Sequence, residues 1–308
     1  MSKKNAVMLI LLGGTFMSFV GLYMRLLTDA NGFQILFYRS LSLSAIVGLV
    51  SCLRRRIGPV QFLQRLDQAD FKMGSALALA FTCYVFAMLY TSVASTLFIL
   101  SATPFMAAVI GWVWINEKPQ NITWVAMIFA SCGVYLMVRE GAQLGQSFGN
   151  VMALISAACF ALMLVLARKS GKQDVLGGTF TGGAICALIG AGTTLFSGAS
   201  FAVLPQDLAI ILIMGAFGIG IGIAFVTWGA SYVPAAEVSL LVLIESVLGP
   251  IWPWIFLGEA MSPTELAGGL TILASVALFA RVSAKPETKR NAQNSALSRL
   301  SPPCGTQT

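Results

Sequence analysis

Long apolar runs, separated by short polar breaks, fill most of the chain. Each run is about 20 residues long, the length that an α-helix needs to cross the hydrocarbon core of a bilayer. Backbone amides in lipid must be satisfied within their own segment, so each run predicts a transmembrane helix. Ten spans are predicted, at roughly residues 6–26, 33–53, 73–91, 93–115, 121–139, 149–168, 175–196, 208–230, 235–257 and 263–283.

Composition narrows the class of protein further. The chain is 57% apolar and 10% charged, whereas soluble domains are typically about 25% charged. These values exclude a soluble globule, a disordered chain and a disulfide scaffold, and the short loops leave no room for a soluble domain. There is no histidine, and none of the six cysteines forms a C-x-x-C pair. We therefore predict no metal site and no cofactor. The apolar composition and the predicted spans place the protein in the cytoplasmic (inner) membrane.

The basic residues predict an orientation. With the N-terminus in the cytoplasm, most of the 19 lysines and arginines fall on the cytoplasmic side, which fits an even number of spans and an N-in/C-in topology. The net charge of +7 is then a topology signal and does not indicate nucleic-acid binding. Residues 54–72 carry arginines with apolar residues between them, which predicts a short interfacial segment on anionic membrane lipids.

The chain also contains an internal repeat. A shift of 142 residues aligns Tyr90 with Tyr232, Trp112 with Trp254, and Glu117 with Glu259. Two halves of five helices follow, and since five is odd, the second half enters the membrane from the opposite side. The predicted fold is an all-α integral membrane protein of ten transmembrane helices in two inverted repeats. The first repeat spans residues 1–140, the second spans 141–283, and residues 284–308 are a disordered cytoplasmic tail.

Three segments resemble a known family. Residues 95–104, with the sequence STLFILSATP, are followed by Glu117. The second half has ESVLGP at residues 245–250, followed by Glu259, and the second span contains Phe37, Tyr38 and Arg39. These segments resemble the EamA-type transporters of the drug/metabolite transporter superfamily. The resemblance implies two inverted five-helix halves around a central cavity, with the fifth and tenth helices at the periphery.

Two charged residues lie well inside predicted spans, Arg39 in the second and Glu245 in the ninth. A charge at the centre of a membrane helix costs about 2.5–3.5 kcal/mol on insertion scales, so it faces a cavity or is paired. In the functional interpretation, Glu245 carries a proton or a cation, and Arg39 holds a carboxylate or a phosphate. The alternative is a fixed ion pair that joins two helices.

Polar and aromatic residues near the middle of other spans complete the predicted substrate site, with helix packing as the alternative role for each. They are Tyr84, Ser101, Thr103, Trp228 and Ser239. Glu259 and Glu117 are predicted to be structural residues that cap the following helix. Arg25 is predicted to snorkel toward the membrane surface.

Inverted repeats are characteristic of secondary transporters. We therefore predict alternating-access transport of a small polar or zwitterionic metabolite, such as an amino acid, with export favoured and proton coupling through Glu245. An importer of a vitamin-type metabolite such as riboflavin is the alternative within that class. A membrane-embedded enzyme and a non-catalytic receptor or assembly factor are the alternatives outside it. Small residues in the tenth span (Gly268, Gly269 and Ala274) are compatible with a homodimer.

Overall fold

The computed structural model describes residues 2–116, 121–143, 145–171, 174–196, 198, 200–230, 232, 241–242 and 244–283, and the regular structure within them is helical. The first half contains α1 (Lys3–Ser18), α2 (Val20–Arg25), α3 (Gly32–Arg55), α4 (Pro59–Gln64), α5 (Gln68–Tyr90), α6 (Val93–Leu100), α7 (Thr103–Ile115) and α8 (Asn121–Gln143). The second half contains α9 (Ser147–Ser170), α10 (Leu176–Phe196), α11 (Pro205–Ile213), the π-helix π1 (Met214–Ile221), α12 (Gly222–Ala230), α13 (Ile244–Leu257) and α14 (Pro263–Ser283).

Seven stretches of the described chain are long and apolar enough to cross a membrane. They are Lys4–Arg25, Gly32–Arg55, Gln68–Tyr90, Val93–Trp114, Ser147–Ala167, Leu176–Phe196 and Pro205–Gly229. The other three predicted spans overlap α8, α13 and α14. The all-helical membrane fold is therefore observed, whereas the number ten, the N-in/C-in topology and the division at residue 140 stay predictions. The predicted tail, residues 284–308, lies outside the described residues.

Polar side chains fix several helix starts. Asn31 accepts hydrogen bonds from the backbone amides of Phe33 and Gln34, and the Gln34 side chain accepts one from the Asn31 amide. This capping box starts α3, and a second one, between Asp67 and Asp70, starts α5. Reciprocal caps of this kind satisfy amides that the first helical turn leaves without partners.

In the part of the chain that the structure describes, three of the predicted spans are interrupted helices. The first span breaks between α1 and α2 at Phe19, and the fourth breaks between α6 and α7 at Ser101 and Ala102. The eighth passes through π1 between α11 and α12. Interrupted and π-helical segments are rare and concentrate at functional sites, because they free backbone groups and provide hinge points.

The largest core cluster draws on both halves. It contains Leu36, Tyr84 and Leu97 from the first half, and Cys186 and Ile219 from the second. At the other edge of the bundle, α8 packs against α14. Side chains on the outer face of α8 are exposed, among them Trp124, Ile128, Phe129 and Tyr135. Exposed apolar residues on a membrane helix contact lipid, so α8 and α14 lie at the periphery, as the family resemblance implies.

Glycines let the two halves approach closely, and α10 allows a matched test. A Cβ atom at Gly190 would lie 2.8 Å from Phe37 N and 2.9 Å from Phe33 O on α3, whereas a Cβ at Gly192 would meet nothing within 4 Å. Gly190→Ala is expected to destabilise the protein by about 1–3 kcal/mol, because backbone atoms must shift. Gly192→Ala is expected to be neutral or stabilising by up to about 1 kcal/mol. Thermal unfolding of both variants in detergent measures the contrast; equal melting temperatures would contradict this packing.

Candidate functional site

The interior charge of the first half is Arg39 on α3. The residue is 0% exposed. Its guanidinium lies over two aromatic rings, 5.2 Å from the centroid of Phe81 and 5.9 Å from that of Tyr84. Nη2 donates a long hydrogen bond of 3.4 Å to the Phe81 carbonyl, while Nε and Nη1 have no hydrogen-bond partner among the described residues. A buried cation with unused donors is costly, so this arrangement fits a group that binds a ligand.

Elements of the second half surround Arg39. A Cβ at Gly215 of π1 would collide with the Arg39 carbonyl oxygen, so only glycine lets π1 pack this closely on α3. On another face of α3, a Cβ at Gly183 of α10 would lie 3.3 Å from the Ser40 carbonyl oxygen. Arg39 therefore lies at the interface between the two predicted repeats, where secondary transporters bind their substrates.

Tyr84 lies beside Arg39, with its ring centroid 5.9 Å from the guanidinium. It is buried on α5 and interacts electrostatically with both Arg39 and Glu245. Glu245 is half-buried and lies in the first turn of α13. Two of the residues predicted from the sequence, Arg39 and Tyr84, are thus adjacent, and Tyr84 also interacts electrostatically with Glu245.

The fixed ion pair, which was the alternative role for the two charges, is not what the structure contains. Two of the three guanidinium nitrogens of Arg39 have no described hydrogen-bond partner, and the third donates to a backbone carbonyl.

The break in the fourth span reaches the same region. The Ser101 hydroxyl lies 2.7 Å from Ser246 Oγ and 2.9 Å from the Leu97 carbonyl oxygen. Ser246 follows Glu245, so the broken helix of the first half touches the start of α13 in the second. The Thr103 hydroxyl donates a 2.6 Å hydrogen bond to the Leu100 carbonyl and stabilises the break itself.

Of the other two predicted site residues, one lies away from this group and the other is not described. Trp228 lies on α12 with 46% of its surface exposed. The glycines of α12 face α1, since Cβ atoms at Gly222 and Gly229 would meet Gly13 and Ile10. The other residue, Ser239, lies outside the described residues.

An aromatic contact at the break of the first span was missed by sequence reasoning. The Trp252 indole N–H donates a 2.8 Å hydrogen bond to Ser18 Oγ, and its ring stacks on Phe19 at 4.5 Å between centroids. Tryptophans near helix ends suggest a membrane-surface belt. Trp252 differs from a tryptophan of that belt because its indole N–H is bonded inside the protein. A buried indole N–H needs such a hydrogen-bond partner.

Glu259 has a structural role, as predicted, but it does not cap α14. The cap of α14 is a box in which the Glu265 amide donates to Ser262 Oγ and the Ser262 amide donates to Glu265 Oε2, both at 3.0 Å. Glu259 instead forms an ion pair with Arg25, which lies 2.7 Å away, so Arg25 does not simply snorkel. Glu117, which the repeat aligns with Glu259, lies outside the described residues.

Asp207 is a further residue that the sequence did not single out. Its carboxylate is fully buried and accepts hydrogen bonds from the backbone amides of Thr28, Asp29 and Ala30, at 2.9–3.2 Å. It fixes the loop between α2 and α3 to the start of α11. Since these bonds use its oxygens, Asp207 has a structural role.

Among the described residues, seven apolar spans, interrupted helices and a buried arginine with two unpaired nitrogens indicate a multi-pass membrane protein. The EamA-like transporter family matches residues 4–139 and 147–281. The chain belongs to this family and is a multi-pass protein of the cell membrane. The family indicates a transporter rather than an enzyme.

Individual relatives agree with the class. An uncharacterized transporter of Archaeoglobus fulgidus is 27% identical over 202 residues, which cover 63% of this chain and 69% of the relative. A probable terminal-alkyne amino-acid exporter of Streptantibioticus cattleyicolor is 33% identical over 75 residues, covering 24% of this chain and 25% of the relative. A crystal structure with 18% sequence identity matches 92% of this chain and 100% of the other, with a TM-score of 0.63, which shows the fold alone.

Proposed function

We propose that the protein is a secondary transporter that exports a small zwitterionic metabolite of the amino-acid type by alternating access. The observation that carries the proposal is the buried Arg39 guanidinium, whose Nε and Nη1 have no described partner. A buried guanidinium with unused donors is stabilised when an anion binds to it. In a transporter, the anion that binds and is released in each cycle is the substrate.

Arg39 suits a carboxylate better than a phosphate. Its described neighbours Phe81, Tyr84 and Cys186 bring no second cation, so the site offers a single positive charge. A carboxylate carries one negative charge and accepts two parallel hydrogen bonds from a guanidinium. The Phe81 and Tyr84 rings shield the guanidinium from water, which strengthens its interaction with an anion.

Glu245 supplies the opposite charge for the substrate ammonium. The same carboxylate can hold a proton when the ammonium is absent, so proton and substrate compete for one group. Competition of this kind couples export of the substrate to entry of a proton. The amino-acid exporter of Streptantibioticus cattleyicolor, although it matches only a quarter of the chain, is named for the same substrate class and direction.

The interrupted helices supply the proposed motion. The breaks at Phe19 and at Ser101, together with π1, lie in three spans that border Arg39 or Glu245. Rocking of the two inverted five-helix halves about these breaks would expose the site to one side of the membrane at a time. In the N-in/C-in orientation, the ends of α2 and α13 face the outside.

Metabolite profiling tests the export proposal in cells. Overexpression is expected to raise the concentration of one or more amino-acid-like zwitterions in the culture medium, and deletion is expected to raise it inside the cells. Overexpression of Arg39→Gln provides the matched control, because it changes only the proposed carboxylate site. Identical profiles for the wild type and Arg39→Gln would contradict the proposal.

A further inference from the structure

Four helix ends meet at one ion pair, between Arg25 and Glu259. The Arg25 guanidinium at the end of α2 holds Glu259, just after α13, through two hydrogen bonds of 2.7 and 3.1 Å. Arg25 also donates to the Met88 and Thr91 carbonyls at the end of α5, both at 2.7 Å. The Val93 amide, at the start of α6, donates to Glu259 at 3.2 Å. One pair therefore fastens α2, α5, α6 and α13 together.

The pair joins the two predicted halves. Arg25, Met88, Thr91 and Val93 belong to the first half, and Glu259 belongs to the second. Glu265 provides a second tie at the same end, because it accepts hydrogen bonds from the hydroxyls of Ser92 and of Ser95. If the halves move apart at this end, these bonds must break.

The surroundings allow the pair to open. The side chains of Arg25 and Glu259 are 24% and 27% exposed, and both line a cavity of about 750 Å³ at this end of the bundle. Water in that cavity can solvate the separated charges, so opening does not leave a buried unpaired ion. A partly exposed, two-pronged ion pair is strong enough to bias an equilibrium and weak enough to be broken in each cycle.

We propose that Arg25 and Glu259 form a latch that keeps this end of the bundle closed, and that the pair breaks each time the transporter opens to that side. The proposal rests on the alternating access of the proposed function. In this proposal the latch closes the bundle and does not bind substrate, because the Arg25 guanidinium already donates its hydrogen bonds to oxygens of the protein. Glu259 acts as a positioning residue for the closed state.

Cysteine accessibility in membranes tests the latch without any substrate. Val20 on α2 is 2% exposed and packs in the core cluster that contains Val93 and Leu97. Val20→Cys is placed in a chain whose six native cysteines are replaced. A membrane-impermeant maleimide is then added to right-side-out or to inside-out vesicles. Glu259→Gln and Arg25→Gln are each expected to raise the labelling rate about fivefold, from the latch side only.

Asp174→Asn is the matched control. Asp174 forms a 3.0 Å ion pair with Arg55, at the end of α3 that is farther from the latch. The partial exposure of this pair is similar to that of Arg25 and Glu259. Its loss is not expected to change labelling from the latch side. Two independent latch variants keep the test decisive if one of them fails to fold. Unchanged labelling in a folded latch variant, or an equal increase in Asp174→Asn, would overturn the latch.

The result is separable from the proposed function. Labelling is measured without substrate, so it does not depend on which metabolite is carried. Absence of amino-acid flux together with the expected labelling contrast would contradict the substrate proposal and leave the latch in place.

Discussion

Arg39→Gln is expected to abolish substrate-dependent flux and, at the same time, to make the empty protein more stable. Flux is expected to fall by about 100-fold or more, because removal of one partner from a desolvated charge pair costs several kcal/mol. Stability is expected to rise, because the variant no longer buries a cation whose Nε and Nη1 have no described partner. Radiotracer flux in proteoliposomes and thermal unfolding in detergent measure the two effects on the same preparations.

The two effects together separate a ligand site from a structural role. A purely structural arginine would lose flux and stability together on substitution. Arg39→Lys is the matched control: it keeps the charge but loses the planar fork, so it is expected to lose flux without the gain in stability. If Arg39→Gln keeps wild-type flux, or if it unfolds at a clearly lower temperature than the wild type, Arg39 is not the proposed clamp.

Glu245→Gln is expected to remove the response of transport to a pH gradient. In the wild type, proteoliposomes loaded with substrate should release it faster when the exterior is more acidic, because an entering proton displaces the substrate ammonium from Glu245. Glutamine cannot take up that proton, so efflux from the variant should be the same with and without the gradient.

Glu245→Asp keeps a titratable carboxylate at the same place and provides the control for this experiment. It is expected to retain the pH response, at a lower rate. A pH response of wild-type size in Glu245→Gln would show that another group carries the proton. Loss of the response in both variants would contradict a role that depends on the carboxylic acid itself.

The apolar runs predicted the helices well, because the thickness of the bilayer and the need to satisfy backbone amides leave little freedom. The cap of α14 could have been read from the sequence but was not predicted: Ser262, three residues before Glu265, has the spacing of a capping box. The break at Phe19 and the π-helix π1 were not predicted. Both regions read as continuous apolar sequence, and the interruption depends on packing against other helices.

The interior charges were equally visible in the sequence, because Arg39 and Glu245 stand alone in apolar spans. Contacts between residues that are distant in the sequence were not visible. Arg25 and Glu259 are 234 residues apart, and nothing local to either residue says that two helix ends meet there. Asp207 was missed for the same reason, since the amides that it accepts from belong to a loop in the other half. Pairings between distant segments follow from the topology of the bundle.

Direct flux across a membrane tests the central claim most directly. The purified protein is reconstituted into liposomes loaded with each of the proteinogenic amino acids in radiolabelled form, and efflux is followed with an acidic exterior. For at least one amino acid, efflux is expected to exceed that of protein-free liposomes and of Arg39→Gln liposomes. Unlabelled substrate should compete with the labelled amino acid, whereas its methyl ester, which lacks the carboxylate, should not. Equal competition by the ester, or no efflux above the Arg39→Gln level for any amino acid, would contradict the account.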